Sequence, residues 1–422
     1  MIGVKDLIKI LKDNKELNAY EIVHTKKESS ELFFVLQKLE INRATNTENL
    51  SVKLYVDKDD KRGSSTFIIT NADDEKSINK KIDDTLKKAK TALNPYYPLC
   101  LKGENINKKI VLDEPLNTTA LKVADAIFKA DKFKEGFINS TEIFVSKTSI
   151  EFYNSNGVKQ KDEKFAVEFE IIPTWSNKKE EFELYDYCKY SKLNTRAITL
   201  EVNHVLELSK YRSEAKTLKE VKLPKKLPIL IYDEMANLIV DTIMSNVSYM
   251  NFYMHTAHYA LKDIVSLNKF DLTLKGNIES VFDSSSFDGN GVLLSSKRII
   301  KDGVLKDNYG DIRFGHYLNV KKPSGNYRVA LIKTEGSEYE KEPHLIIDRF
   351  SSPQMEETSG YFGGEVRLAR YFDGEKYIPL TSFSVSGNIY EALKNIRFSK
   401  EQCVTTKYKG PKYFIFDDLK IS

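Results

Sequence analysis

Asp233 and Glu234 open the most chemically suggestive stretch of the chain, Lys226-Leu-Pro-Ile-Leu-Ile-Tyr-Asp-Glu-Met-Ala-Asn-Leu-Ile-Val-Asp-Thr-Ile-Met244. The apolar run Leu227 to Tyr232 has strand length and follows a Lys/Pro turn. Ala236, Ile239, Val240 and Ile243 then recur at helical spacing, and Asp233 stands where a carboxylate can cap that helix. A helix bearing His and Glu after a strand is one way to present zinc ligands and a general base. Here the acid is present and the histidines are not. As first-turn acids, Asp233 and Glu234 also complement a helix dipole without any catalytic part.

Other residues offer metal-ligating chemistry at a distance. His255 and His258 form a His-x-x-His that would share one helical face. Their surroundings, rich in Tyr, Phe and Met, read as packing. Cys403 is the one cysteine near the C-terminus, and a free cysteine is ordinarily a small buried hydrophobe. Phe282-Asp-Ser-Ser-Ser-Phe-Asp-Gly-Asn-Gly291 has the acids and glycines of a calcium loop but lacks the terminal bidentate Glu, so turn chemistry explains it better. Walker loops, dinucleotide fingerprints and serine nucleophile elbows are absent.

The elements that must position these groups divide the 422 residues in two. An opening helix uses Val4, Leu7, Ile8 and Leu11. Alternating strands are expected at Ala19–His24, Glu31–Leu39, Leu50–Val56 and Ser64–Thr70, the last two forming a hairpin. Asn71 to Glu75 caps a helix over Ile78–Leu93. After a connector at 100–115, a second helix spans Thr119–Phe133 with Leu121, Ala124, Ile127 and Phe128 inward. Strands return at Ser140–Val145, Ile150–Tyr153, Phe165–Ile172 and Phe182–Tyr187, and a helix covers Val202–Leu218. The basic, Pro-punctuated segment 221–228 marks a boundary, giving domains 1–222 and 223–422. Most of the 19 glycines lie beyond residue 275, which implies an irregular β-rich second part. The fold class is therefore α+β: an N-terminal antiparallel sheet with packed helices, then a β-rich domain with one substantial helix near Asp233.

Composition narrows the function. Lys plus Arg number 65 and Asp plus Glu 61, for a net charge of +4 with the signs interspersed; nucleic acid and anionic membrane are poor partners for such a surface. No apolar run approaches the roughly 20 residues of a spanning helix. No basic and apolar leader opens the chain, so a signal peptide is not expected. Three scattered cysteines argue for a reducing compartment, hence the cytoplasm.

Several stretches, taken in order, resemble the TldD/TldE (PmbA, "modulator of DNA gyrase") family. They include Ser51-Val-Lys-Leu-Tyr-Val56, Arg62-Gly-Ser-Ser-Thr66 and Ala89-Lys-Thr-Ala-Leu-Asn-Pro-Tyr96. Phe287-Asp-Gly-Asn-Gly-Val292, Ile300-Lys-Asp-Gly-Val-Leu305, Ser324-Gly-Asn-Tyr-Arg328 and Ser359-Gly-Tyr-Phe-Gly-Gly364 continue the series, and Gly410-Pro-Lys-Tyr-Phe-Ile-Phe-Asp-Asp-Leu-Lys-Ile421 closes it. The resemblance implies a TldD-type subunit that is a zinc peptidase, with His-Glu-x-x-x-His on the helix after a strand plus a C-terminal Cys. It also implies a TldE-type partner without the motif. The motif falls on Asp233-Glu-Met-Ala-Asn-Leu238, which is the TldE pattern. The expectation is thus a non-catalytic subunit, with no cofactor of its own and with zinc in a TldD-like partner. It would form a dimer with that chain or with itself and hold unfolded peptide, with Arg328 and Glu365 as candidate peptide contacts. Two alternatives stay open: a self-sufficient peptidase with a divergent site of Asp233, Glu234, His255, His258 and Cys403, and a protein that binds gyrase or another target.

Overall fold

The computed structural model describes residues 2–177 and 180–422. Its first half is a nine-stranded sheet built from β1 (Ala19–Val35), β2 (Lys38–Lys58), β3 (Lys61–Ile69), β4 (Leu93–Pro95), β5 (Asn107–Lys108), β6 (Gly136–Asn154), β7 (Lys159–Ser176), β8 (Glu181–Glu183) and β9 (Asp186–Tyr190). The strand order is β4-β3-β2-β1-β6-β7-β5, with β8 and β9 also paired to β7. Its helices are α1 (Val4–Asp13), α2 (Glu75–Ala89), α3 (Leu116–Phe128) and α4 (Thr195–Ser213). Apart from the short parallel β5–β7 contact, the sheet is antiparallel, as the alternating sequence pattern implies.

The strands are longer than their apolar alternation. Expected breaks at residues 25–30 and 40–49 are absent, because these polar segments pair with each other across the β1–β2 hairpin. Cross-strand charges support them: Glu48 reaches His24 at 2.7 Å and Lys26 at 2.9 Å, and Arg43 donates to Glu31 at 2.7 Å. Leu36 and Gln37 turn the hairpin with φ of 46° and 65°, the handedness that matches strand twist. The expected strands at 140–145 and 150–153 likewise merge into β6, while the expected strand at 182–187 divides into β8 and β9.

Helix positions shift for local reasons. Asp74 accepts from the Ser77 N–H at 2.8 Å and starts α2. The third helix begins and ends earlier than its pattern suggests; Ala124 and Ile127 are buried, but Leu121 is 46% exposed. Helix α4 likewise begins before the expected Val202 and ends before Leu218.

The second half contains a nine-stranded and a six-stranded sheet. The strand β10 (Ile229–Ile231) leads directly into α5 (Asp233–Asn246). Met235, Ala236, Ile239, Val240 and Ile243 pack in one core with Ile231 and Ile347 of the larger sheet and Leu272 and Ile332 of the smaller. Helix α5 is thus held rigidly between two sheets. Parallel pairs occur here, β10 with the His344–Phe350 strand among them.

The two halves are joined by specific contacts. The Arg313 guanidinium donates to Asn94 at 2.7 Å, and the Tyr317 hydroxyl donates to the Pro95 carbonyl at 2.6 Å. Asp162, almost fully buried, accepts from the Ser286 N–H at 2.9 Å. Leu184 and Leu208 pack on Leu368 from the other half.

Candidate functional site

A cavity of about 680 Å³ lies where β9 of the first half meets the start of α5 in the second. Glu234, Asn237, Leu238 and Asp241 line it from one face of α5, as their i, i+3, i+4, i+7 spacing requires. A second cavity of about 400 Å³ continues along the same helix, lined by Asp241, Met244, Ser245 and Ser248. Asp241 and Lys407 border both, so α5 forms the floor of one groove about 20 Å long at 1.5 Å per residue.

The N-terminal end of the groove is dominated by Arg349. Its guanidinium is 3.2 Å from Asp186 on β9 and 3.8 Å from Asp233, and it donates to the Asp348 carbonyl at 2.8 Å. The Asp348 carboxylate is occupied separately, by both arms of the Arg370 fork at 2.7 Å and by the Tyr232 hydroxyl at 2.9 Å. Asp233 does not cap α5. It adopts φ 57°, a left-handed conformation that Asp tolerates better than most residues; the helix start has no side-chain cap, and the carboxylate turns to Arg349 instead. Glu234, exposed at the surface of the cavity, has its carboxyl raised by partial desolvation and by the neighbouring Asp233 charge.

Behind this pair sits a cluster drawn from β9 and α4. Donor atoms of Asp186, Cys188 and Glu201 lie within 4.8 Å of one another, a separation that could suit a metal ion. The chemistry is against it. Burial raises the Asp186 carboxyl and pushes the Cys188 thiol well up, and burial with the nearby acids lifts Glu201 to about 7. Burial thus disfavours the ionised forms of Cys188 and Glu201, and the Asp186 carboxylate is already paired with the Arg349 guanidinium. The signal that could have exposed the region is the Asp348-Arg349 dipeptide, which interrupts an otherwise apolar strand from Leu345 to Phe350.

Most of the other sequence candidates scatter, although Cys403 lies close enough to Asp233 to feel its charge. Arg328 is exposed and lines the 400 Å³ cavity near Lys407, which bridges Asp241 and Asp283 at 3.2 Å each. Glu365 is exposed on the Tyr361–Phe372 strand and lines neither cavity. His255 and His258 do not share a helical face: the short helix ends at Tyr253, and His255 follows with φ 56°. The His258 backbone N–H donates to Asn246, and its ring stacks on Tyr390 with centroids 4.0 Å apart. Asn246 is the last residue of α5, so His258 is about 20 Å along the helix from Asp233. The Cys403 thiol lies near the Tyr408 hydroxyl and Pro411 carbonyl, and burial raises it to about 11. Cys403 lines neither cavity.

Residues 224–422 match the PmbA/TldA metallopeptidase C-terminal domain. This second half is a PmbA/TldA-family domain. Its fold is that of TldE from Thermococcus kodakarensis, with TM-score 0.81, 16% identity and 99% of each chain covered. It also superposes on a Thermotoga maritima protein described as a modulator of a DNA gyrase, with TM-score 0.80, 15% identity and 99% of each chain covered. A Bacteroides thetaiotaomicron protein with the same description gives TM-score 0.78 at 13% identity over 100% of each chain. No curated protein matches the sequence significantly.

Family membership raises the question of zinc, and the residues at the motif positions do not fit it. Asp233, in the first position, already faces a guanidinium. Leu238, in the second, packs against the core and presents hydrocarbon to the cleft. A dication there would meet Arg349 repulsion and lack both imidazoles. Among the described residues, no helix is long and apolar enough to cross a membrane.

Proposed function

We propose that this chain is a non-catalytic, TldE-like subunit that forms one wall of a peptide-holding chamber and relies on a zinc-bearing TldD-type subunit for hydrolysis in the cytoplasm. The observation that carries this reading is the Asp233–Arg349 pair, with Leu238 one turn further along α5. Where a peptidase of this design needs two neutral ring nitrogens aimed at one ion, this chain has a carboxylate tied to a fixed cation and an isobutyl group. Glu234 retains the place of a general base but has no metal-activated water from which to take a proton. The groove along α5 remains, open and lined by backbone and mixed charges, suited to an extended polypeptide.

Metal analysis after dialysis, with peptide-cleavage assays of the isolated chain and of its complex with a TldD-type subunit, tests the reading. The isolated chain should carry no zinc and cleave nothing. Glu234→Gln should leave the activity of the complex nearly unchanged, whereas losing a working general base costs roughly 100-fold or more. Stoichiometric zinc with chelator-sensitive cleavage by the chain alone would overturn the proposal in favour of a self-sufficient enzyme.

A further inference from the structure

A third cavity, of about 430 Å³, lies away from α5, where the segment joining the two halves runs beside the short strand Lys420–Ile421. Its floor is aliphatic: Leu218, Val221, Leu223 and Leu227 come from the joining segment, Leu419 and Ile421 from the other side. Leu227 is 5% exposed, and the other five are partly buried against the large core of the second half. These side chains are anchored from beneath and leave their outer surfaces uncovered.

The charge around this hollow is of one sign. Lys222, Lys225 and Lys420 line it, are exposed, and have no carboxylate partner among the described residues. Elsewhere on the surface, lysines such as Lys90 and Lys400 reach a carboxylate at 2.7 Å. The lining acid, Asp417, is already held by two N–H groups of Arg397, at 2.7 and 3.2 Å. Lysine stems can extend apolar walls while their ammonium groups stay in water, so the cationic rim and the aliphatic floor form one surface.

We infer that this cavity binds a medium-chain acyl carboxylate, with its tail on the leucines and its head group among the three lysines. The volume falls at the lower end of small-molecule sites, which span about 300–1,000 Å³, are mostly apolar and carry a few polar groups that fix orientation. A compact anion such as phosphate would leave the aliphatic floor wet. An uncharged hydrocarbon would leave three ammonium groups without a counter-charge, and a cationic amphiphile would be repelled. The site uses no residue of the α5 groove and does not depend on the subunit role proposed above.

Titration calorimetry of the purified full chain with hexanoate, octanoate and decanoate, each below its micelle-forming concentration, tests the assignment. Every buried methylene should tighten binding about fourfold, so each step of two carbons should gain roughly 15-fold. Decanol should bind several-fold more weakly than decanoate, and added salt should narrow that gap. Replacing the lysines together, Lys222→Gln, Lys225→Gln and Lys420→Gln, should leave the melting temperature unchanged, since none is paired, and should abolish the preference for decanoate over decanol. Binding that ignores tail length, or a preference that survives the triple substitution, would overturn the inference. So would attachment to phosphatidylglycerol vesicles without binding of monomeric decanoate, because the lysines would then act as a charged surface and the hollow would hold nothing.

Discussion

At its N-terminal end α5 meets a crowd of charge: Asp233, Asp186 and Arg349, with Glu201 and Cys188 behind them. At its C-terminal end, Asn246 donates to the Tyr390 hydroxyl at 3.0 Å and accepts from the His258 N–H, and the His258 ring lies flat on Tyr390. At the N-terminal end no histidine lines the cavity among the described residues, although partly buried His204 feels the Arg349 and Asp348 charges; at the other end the imidazole serves as an aromatic plate. Residue types capable of binding metal are present at both ends, yet neither end assembles a competent donor set. What matters for a metal site is convergence of deprotonated donors on one point. In this chain a fixed guanidinium works against that at one end, and at the other the His258 ring belongs to no donor cluster among the described residues.

The largest break in this comparison should come from Arg349. Arg349→Met leaves buried Asp186 without its cation, and removing one partner of a buried pair costs about 3–5 kcal/mol. Urea unfolding at neutral pH should register a loss of that size, and adding Asp186→Asn should recover much of it. If Arg349→Met is neutral, the charged end of α5 is not held together by this pair.

A smaller effect should appear as pH dependence. In the folded chain the Glu201 carboxyl sits near 7, above its ordinary value of 4.5, with burial the main cause. The folded state then keeps a proton that the unfolded state releases, so this group's contribution to stability falls as pH rises from about 4.5 to about 7 and levels off above. Glu201→Gln should flatten that part of the curve when thermal midpoints of the two proteins are compared across the range. An unchanged difference across that window would refute the assignment.

The smallest effect belongs to the other end. His258→Ala removes one stacked ring pair, worth about 0.5–1.5 kcal/mol beyond area burial, and should leave metal content untouched. A change in bound metal would mean that the imidazole serves as a ligand after all.

Much of this molecule was legible before its tertiary structure. Periodicity located β10 and α5, the α2 helix with its Asp74 cap, and a β-rich second half, because each depends on near neighbours along the chain. That Asp233 and Leu238 carry no imidazole was equally plain, since residue identity alone decides it. Local signals misjudged other features. The polar middles of β1 and β2 become strand only because they face each other across the hairpin. Asp233 abandons the helix cap for Arg349, a residue 116 positions away, brought close because β10 pairs in parallel with the His344–Phe350 strand. His255 and His258 lose their shared face because the helix ends at Tyr253. The cluster of Asp186, Cys188, Glu201 and Arg349 left one trace in the sequence, the Asp348-Arg349 pair inside an apolar strand. Its members come from β9, α4 and a strand in the other half, and long-range packing alone sets their distance, burial and protonation.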